Sequence, residues 1–222
     1  MTSRGALPND HIEIRPSLRG LFHLVAALAA PFGLVWLLLR SDSPREYVGA
    51  AIFASSLIAL YATSATYHLI RWPAALSGLM NRLDHSMIYL LIGGTYTPLC
   101  LIVLGNAWGI PMLSVVWTLA GLGILLKIVW RTAPRWLGVA LYVALGWVGI
   151  IAGAEVVTRL DVWPLALLII GGQLYTIGAI VYALRRPNPY PSVFGFHEIF
   201  HLFVIAGSLA HFALVAFYVL PD

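Results

Sequence analysis

A bundle of seven transmembrane helices, all-α, with the N-terminus cytoplasmic and the C-terminus outside, is the fold class this sequence predicts. Three observations predict it: charge is scarce, apolar stretches of spanning length recur, and the basic residues fall on alternate connectors. The 222 residues are 60% hydrophobic and only 10% charged, with a mean hydropathy of +0.88. A soluble domain carries about 25% charged residues. This chain cannot cover a water-facing surface, so its solvent must be mostly lipid.

A spanning helix needs roughly 20 mostly apolar residues. Seven stretches qualify, at about 18–39, 47–70, 83–104, 110–130, 136–154, 162–184 and 193–219. Residues 1–17 form a short cytoplasmic tail, and 18–222 a single seven-helix domain. The first stretch is too long for the apolar region of a cleavable signal, which makes it an uncleaved first span. Between the spans stand short segments with turn or breaker residues: "RSDSPRE", "RWPAALSGLMN", "GNAWGIP", "RTAPR", "TRLDVWP" and "RRPNPYPS".

Arg4, Arg15 and Arg19 precede the first span. Arg71 and Arg82 lie in or beside the second connector, Lys127, Arg131 and Arg135 around the fourth, and Arg185 and Arg186 in the sixth. These alternate segments share one side, leaving Arg40, Arg45 and Arg159 for the other. By the positive-inside rule the richer side is cytoplasmic. The formal charge of +4 therefore records membrane orientation and not a nucleic-acid surface. One cysteine, Cys100, excludes an intramolecular disulfide and a Cys-rich metal site. A metal here must be held by His, Asp or Glu.

Ionisable residues inside a span are costly and mark candidate sites. "FHEIFHLFVIAGSLAHF" places His197 and His201 at i and i+4 on one helix face, in the first turns of span seven. "SATYHLIRW" puts Ser64 and His68 four residues apart at the end of span two, and "NRLDHSMIYLL" puts Asp84 and His85 in the first turn of span three. All these positions are at the cytoplasmic end, a convergence that independent placement would not favour. Three imidazoles with water in the fourth position is a recurring catalytic zinc arrangement, and zinc lowers the pKa of such a water towards about 7. His68, His197 and His201 are thus candidate zinc ligands. Asp84 is a candidate base, and Ser64 a candidate partner of Asp84 or of a substrate carbonyl.

Each residue alone also fits a plainer role. His197 and His201 can snorkel at a helix end, Asp84 can be a first-turn carboxylate following an Asn81 N-cap, and His68 suits a helix C-terminus. His211 lies about 15 Å farther along the axis, out of reach of a shared metal, and reads as a structural or substrate-path histidine. "GGTYTPL" reads as close packing and a kink. His-Glu-x-x-His is also the zinc-protease signature. Here it falls in the last span, with only Asp222 downstream to serve as a third ligand, so the protease reading is disfavoured. Glu198 points about 100° away from His197, towards a neighbouring helix or water.

"RPSLRGLFHLVAALA", "SATYHLI", "LDHSMIYLLIGGTYTP" and "HEIFHLFVIAGSLAHF" together resemble the hemolysin III branch of the progestin and adipoQ receptor family, in motif order and over essentially the whole chain. The resemblance implies seven helices with the N-terminus inside, and zinc near the cytoplasmic face held by His68, His197 and His201. It also implies a serine and an aspartate beside the metal, at Ser64 and Asp84. Receptor members of that family are similar to ceramidases; bacterial members carry a haemolytic, pore-forming name and a link to membrane-lipid homeostasis. The short tail points to a compact bacterial inner-membrane protein and not to a hormone receptor. The leading expectation is a zinc-dependent hydrolase of a membrane-lipid amide or ester, with the lipid as its partner and no nucleic acid. A pore-forming hemolysin or channel, and a receptor or sensor with a structural zinc, stay open. A monomeric pore has little polar lining beyond Gln173 and the Glu155/Arg159 pair.

Overall fold

The structure is a computed structural model that describes residues 18–130 and 132–220. The expected tail 1–17, with Arg4, His11 and Arg15, lies outside the described residues, as do Arg131 and Asp222. Seven helices among the described residues are long and apolar enough to cross a membrane. They are α1 (Leu21–Leu39), α2 (Pro44–Leu69), α3 (Ala74–Pro98, prolonged by a π-helical turn Leu99–Val103), α4 (Gly105–Val129), a broken fifth span, α7 (Val162–Leu184) and α8 (Phe196–Leu214, prolonged by a π-helical turn Val215–Val219). The fifth span comprises α5 (Arg135–Gly146), a 3-10 segment Val148–Ala152 and α6 (Gly153–Arg159).

The spans close into a ring. α1 packs between α2 and α8; α3 joins α2 to α4; α5 joins α4 to α7, and α7 returns to α8. Phe53, Leu57, Leu60 and Tyr61 of α2 are buried in the middle of this ring. Outward, Phe32, Leu39, Val129, Val162 and Trp163 are exposed. Large apolar side chains facing out all round are what lipid requires and water would penalise. Because successive spans alternate in direction, Arg19, Arg71, Arg82, Lys127, Arg135, Arg185 and Arg186 gather at one end, which charge asymmetry makes the cytoplasmic one.

The ends are built locally. Ser43 and Glu46 form a capping box at α2: Glu46 N–H donates to Ser43 Oγ (3.4 Å), and Ser43 N–H donates to Glu46 Oε2 (3.1 Å). Pro44 stands at the first helical turn, where its missing N–H costs nothing. Inside α3, Thr95 and Thr97 donate to Leu91 O and Gly93 O, and Trp117 Nε1 donates to Thr97 Oγ1 at 3.2 Å. In this way the "GGTYTPL" stretch couples α3 to α4 while Pro98 leads into the π-helical turn.

The structure corrects three expectations. "RWPAALSGLMN" is largely helix: α3 starts at Ala74 behind Pro73, whose carbonyl accepts from Leu76 N–H and Ser77 N–H. Good helix formers follow that proline, and nothing in them breaks the turn. Asn81 is therefore not an N-cap; its Nδ2 donates to Tyr67 Oη on α2 at 2.8 Å, and Asp84 and His85 lie in the third turn of α3. "GNAWGIP" is likewise helical, beginning at Gly105 with φ 67. Span five is broken at Trp147, where Tyr96 Oη donates to Gly146 O and accepts from Gly149 N–H, both at 2.7 Å. A neighbouring side chain thus satisfies the groups that the break frees.

The α3–α4 hairpin depends on a side-chain-free contact. A Cβ on Gly109 would lie 1.9 Å from the Cys100 carbonyl oxygen, whereas one on Gly78 would meet nothing within 4 Å. Gly109→Ala should lower stability by about 1–3 kcal/mol, and Gly78→Ala should raise it by up to about 1 kcal/mol. Thermal melts in one detergent check both. Equal melting temperatures for the two variants would refute the close contact.

Candidate metal centre

Two helices bring three imidazoles to one point. His68 ends α2, and His197 and His201 open α8 on one face. One ligand nitrogen from each lies within 4.8 Å of the others. His68 Nε2 and His197 Nε2 are 3.2 Å apart. Their ring centroids are 4.7 Å apart, His197 and His201 4.6 Å, and His68 and His201 5.2 Å. Two imidazole nitrogens on a tetrahedral zinc stand about 3.3 Å apart, so the closest pair already has that spacing. A cavity of about 20 Å³ lies among Ser64, Asp84, His85, His197, His201 and His23. It has room for one water. His201 Nδ1 and both His23 ring nitrogens are buried without a hydrogen-bond partner. The donor set, its spacing and this small polar space fit a resident metal ion.

α3 supplies the carboxylate. Asp84 Oδ2 lies 3.8 Å from His68 Nε2 and 3.9 Å from His85 Nδ1, and the Ser64 hydroxyl donates to Asp84. His85 Nδ1 faces Asn81 O at 2.8 Å, an atom that only accepts, so Nδ1 carries the proton. The other nitrogen, Nε2, then accepts from Tyr182 Oη at 3.0 Å. Asp84 thereby sits between the histidine cluster and a fixed His85–Tyr182 pair. His211 is apart from the cluster, tilted against Tyr175 with ring centroids 5.4 Å apart.

Sequence reasoning gave Arg19 and Gly20, at the entrance of α1, no role at the site. Arg19 Nε donates to Glu198 Oε1 at 3.0 Å, and Gly195 N–H donates to Glu198 Oε2 at 2.7 Å. Glu198, 0% exposed, is therefore a cap and an ion-pair partner, turned away from the histidine face as its position one residue on dictates. Next to Arg19, Gly20 has φ 90, and a Cβ there would lie 2.8 Å from His68 Cβ. His23 then stacks on His201 with centroids 3.8 Å apart and planes 12° apart. The signal was present as "LRGLFH", an arginine, a glycine and a histidine at the start of an apolar span.

Beyond the cluster the interior is apolar. A cavity of about 100 Å³ shares Leu60, Ile88, Phe200 and Val204 with the site. A larger one of about 380 Å³ shares Thr95, Tyr96, Gly146, Trp147 and Gly172 with the first. The break in span five lies where these two meet.

The sequence profile described as Haemolysin-III related matches residues 12–212. Hemolysin-3 of Bacillus cereus is 36% identical over 202 residues, covering 90% of this chain and 89% of that protein. A Hemolysin-3 homolog of Bacillus subtilis (strain 168) is 35% identical over 207 residues, covering 93% and 89%. The adiponectin receptor protein of Drosophila melanogaster is 29% identical over 189 residues, 77% of this chain but 42% of the receptor.

Removing Arg19 strands the buried Glu198 carboxylate. Arg19→Ala should cost about 2–4 kcal/mol, a buried-pair value discounted for the partly exposed guanidinium. Arg159→Ala, at the exposed pair where Arg159 Nε donates to Glu155 at 2.6 Å, should cost under about 1 kcal/mol. Chemical or thermal unfolding of both variants in the same detergent measures the difference, and a smaller loss at Arg19 would contradict the burial argument.

Proposed function

The chain belongs to the Haemolysin-III related family of multi-pass membrane proteins, and on that premise we propose that it is a zinc-dependent hydrolase of an amide, or ester, bond in a membrane lipid. The observation that carries this reading is the 3.2 Å approach of His68 Nε2 to His197 Nε2, with His201 beside them and the Asp84 carboxylate 3.8 Å from His68. His68, His197 and His201 would hold the zinc, which would supply Lewis acidity towards a carbonyl and a water. In this reading Asp84 takes the proton of the attacking water. As the water oxygen bonds to the carbonyl carbon and the C–N bond breaks, Asp84 returns that proton to the leaving amine. Ser64 holds the carboxylate in orientation by donating to it. The apolar cavities next to the site suit an acyl chain and exclude bulk water, which supports a lipid and not a soluble amide.

A metal that only ties α2 to α8 is the second reading, since the three ligands bridge those helices. The Bacillus relatives are named hemolysins, but the outer cavity is lined by apolar side chains apart from Thr95, Tyr96, Cys100 and Gln173, which is poor lining for a hydrated pore.

Elemental analysis of the purified protein should find about one zinc per chain, lost in His68→Ala and His197→Ala. Asp84→Asn should retain the metal yet lower hydrolysis of a fluorescent N-acyl sphingosine by at least about a hundredfold. Metal-free wild type that added zinc does not reload would overturn the hydrolase. Metal that is present and needed for thermal stability, with no turnover of any lipid amide or ester, would leave the tie between helices.

A further inference from the structure

At the cytoplasmic end a second cavity, of about 210 Å³, adjoins the site and differs from it in charge. Arg82 of α3, Lys127 of α4 and Arg135 of α5 line it with Asn81, and it shares His85, Tyr142 and Tyr182 with the cavity at the histidine cluster. No aspartate or glutamate lines it. Among the described residues, the acids of this end are Asp84 and Glu198, and both are engaged: Asp84 with Ser64, His68 and His85, and Glu198 with Arg19. Asp42, Glu46, Glu155 and Asp161 belong to the opposite end. Three cations therefore share one recess without an acidic partner among the described residues.

Their settings are specific. Arg82 Nε is buried with no hydrogen-bond partner, a donor whose desolvation is offset by nothing in the protein. The Arg135 guanidinium carbon lies 5.2 Å from the Tyr182 ring centroid, a cation–π contact that holds its charge at the mouth of the recess. Arg135 also occupies the first turn of α5, where the helix dipole is positive and a cation is unfavourable unless an anion is near. Lys127 lies against Gly138, where a Cβ would stand 2.8 Å from Nζ, so the missing side chain is what gives the ammonium its place. Three like charges held together disfavour the empty recess and favour an oxyanion.

We infer that this recess receives a phosphate-class anion, and that the anion is the head group of the lipid whose chain lies in the apolar cavities. The inference rests on the lipid reading above and deepens it by naming the polar end of the substrate. The hydrocarbon side, the histidine cluster and the cationic recess follow one another through shared walls. An anionic amphiphile spanning them would hold the bond next to its head group beside Asp84.

The test needs neither turnover nor a known substrate. Full-length protein in a non-ionic detergent is titrated with dioctanoyl phosphatidylglycerol, dioctanoyl phosphatidylcholine and inorganic phosphate, and binding is read by calorimetry. The anionic lipid should bind at least about tenfold tighter than the zwitterionic one, as charge-assisted hydrogen bonds predict. Arg82→Gln and Lys127→Gln should each erase most of that preference, while Arg185→Gln/Arg186→Gln, at the same end but outside the recess, should keep it. Gly138→Ala retains every charge but crowds Lys127, and should weaken the anionic lipid alone. Inorganic phosphate binding as tightly as the lipid would assign the recess to a soluble anion; much weaker binding of phosphate would assign it to a head group. Equal affinity for the two lipids, together with no phosphate binding, would overturn the inference. So would a preference that Arg82→Gln and Lys127→Gln leave intact or that Arg185→Gln/Arg186→Gln removes. His68→Ala separates the two proposals: loss of metal with the lipid preference retained leaves the recess standing whatever becomes of the hydrolase.

Discussion

No water reaches the middle of a bilayer, so each polar group carried into a span must find its partner within the protein. That constraint organises this molecule. Thr95 and Thr97 bond back to their own helix, Tyr96 satisfies both groups freed at the break in span five, and Glu198 takes Arg19 and the Gly195 amide. Against so consistent a pattern, the unsatisfied buried groups are informative. His23, His201, Tyr142 and Arg82 each keep a polar atom without a partner and line either the histidine cavity or the cationic recess beside it, while Ser86, Tyr89 and His211 also keep one and lie outside both.

The Arg19–Glu198 pair explains how α1, which contributes no candidate ligand, still shapes the site. By joining the entrance of α1 to the first turn of α8, it closes the ring of helices at the depth of the cluster. Gly20 then lets the backbone of α1 approach His68, and His23 lies flat on His201. The histidine face of α8 is thus met from three sides, by His23 of α1, His68 of α2 and Tyr182 of α7. Glu198 could not have joined it: one residue on from His197, it is rotated about 100° around the helix. The spacing that marks a protease when a glutamate reaches the metal-bound side here separates ligand and anchor onto two faces.

Much of this was legible in the sequence, and the reasons for the rest are physical. Hydropathy alone found seven spans, because scarcity of charge over about 20 residues is a demand of the solvent and not of local conformation. Helix ends were less legible, since a polar stretch such as "LSGLMN" or "GNAW" continues a helix as readily as it ends one when no breaker follows. The start of α3 moved accordingly, taking Asp84 from the first turn into the third. Span five breaks at Trp147 within an unbroken apolar run, and Tyr96, 50 residues before Gly146, makes that break tolerable. Convergence of His68, His197 and His201 at one depth could be read from span direction. That Arg82, Lys127 and Arg135 share a recess could not, because the positive-inside rule accounts for each of them singly.

The order of environments along the interior is itself a constraint on chemistry. From the cytoplasmic end the walls pass from Arg82, Lys127 and Arg135, through His85 and Tyr182, to the histidine cluster, and then to Leu60, Ile88 and Phe200. His85 stands at the boundary with both nitrogens committed, one to Asn81 O and the other to Tyr182 Oη. A neutral imidazole fixed in this way presents no free proton to Asp84, and it stands between the cationic recess and the carboxylate. Tyr182 extends the same screen, since its hydroxyl is spent on His85 while its ring faces Arg135. Polarity therefore changes sharply across one pair of side chains, and the cluster lies on the dry side of that change. In such a place, shielded from solvent yet one residue away from three positive charges, the Asp84 carboxylate and the three candidate metal ligands act on one another far more strongly than either would in water.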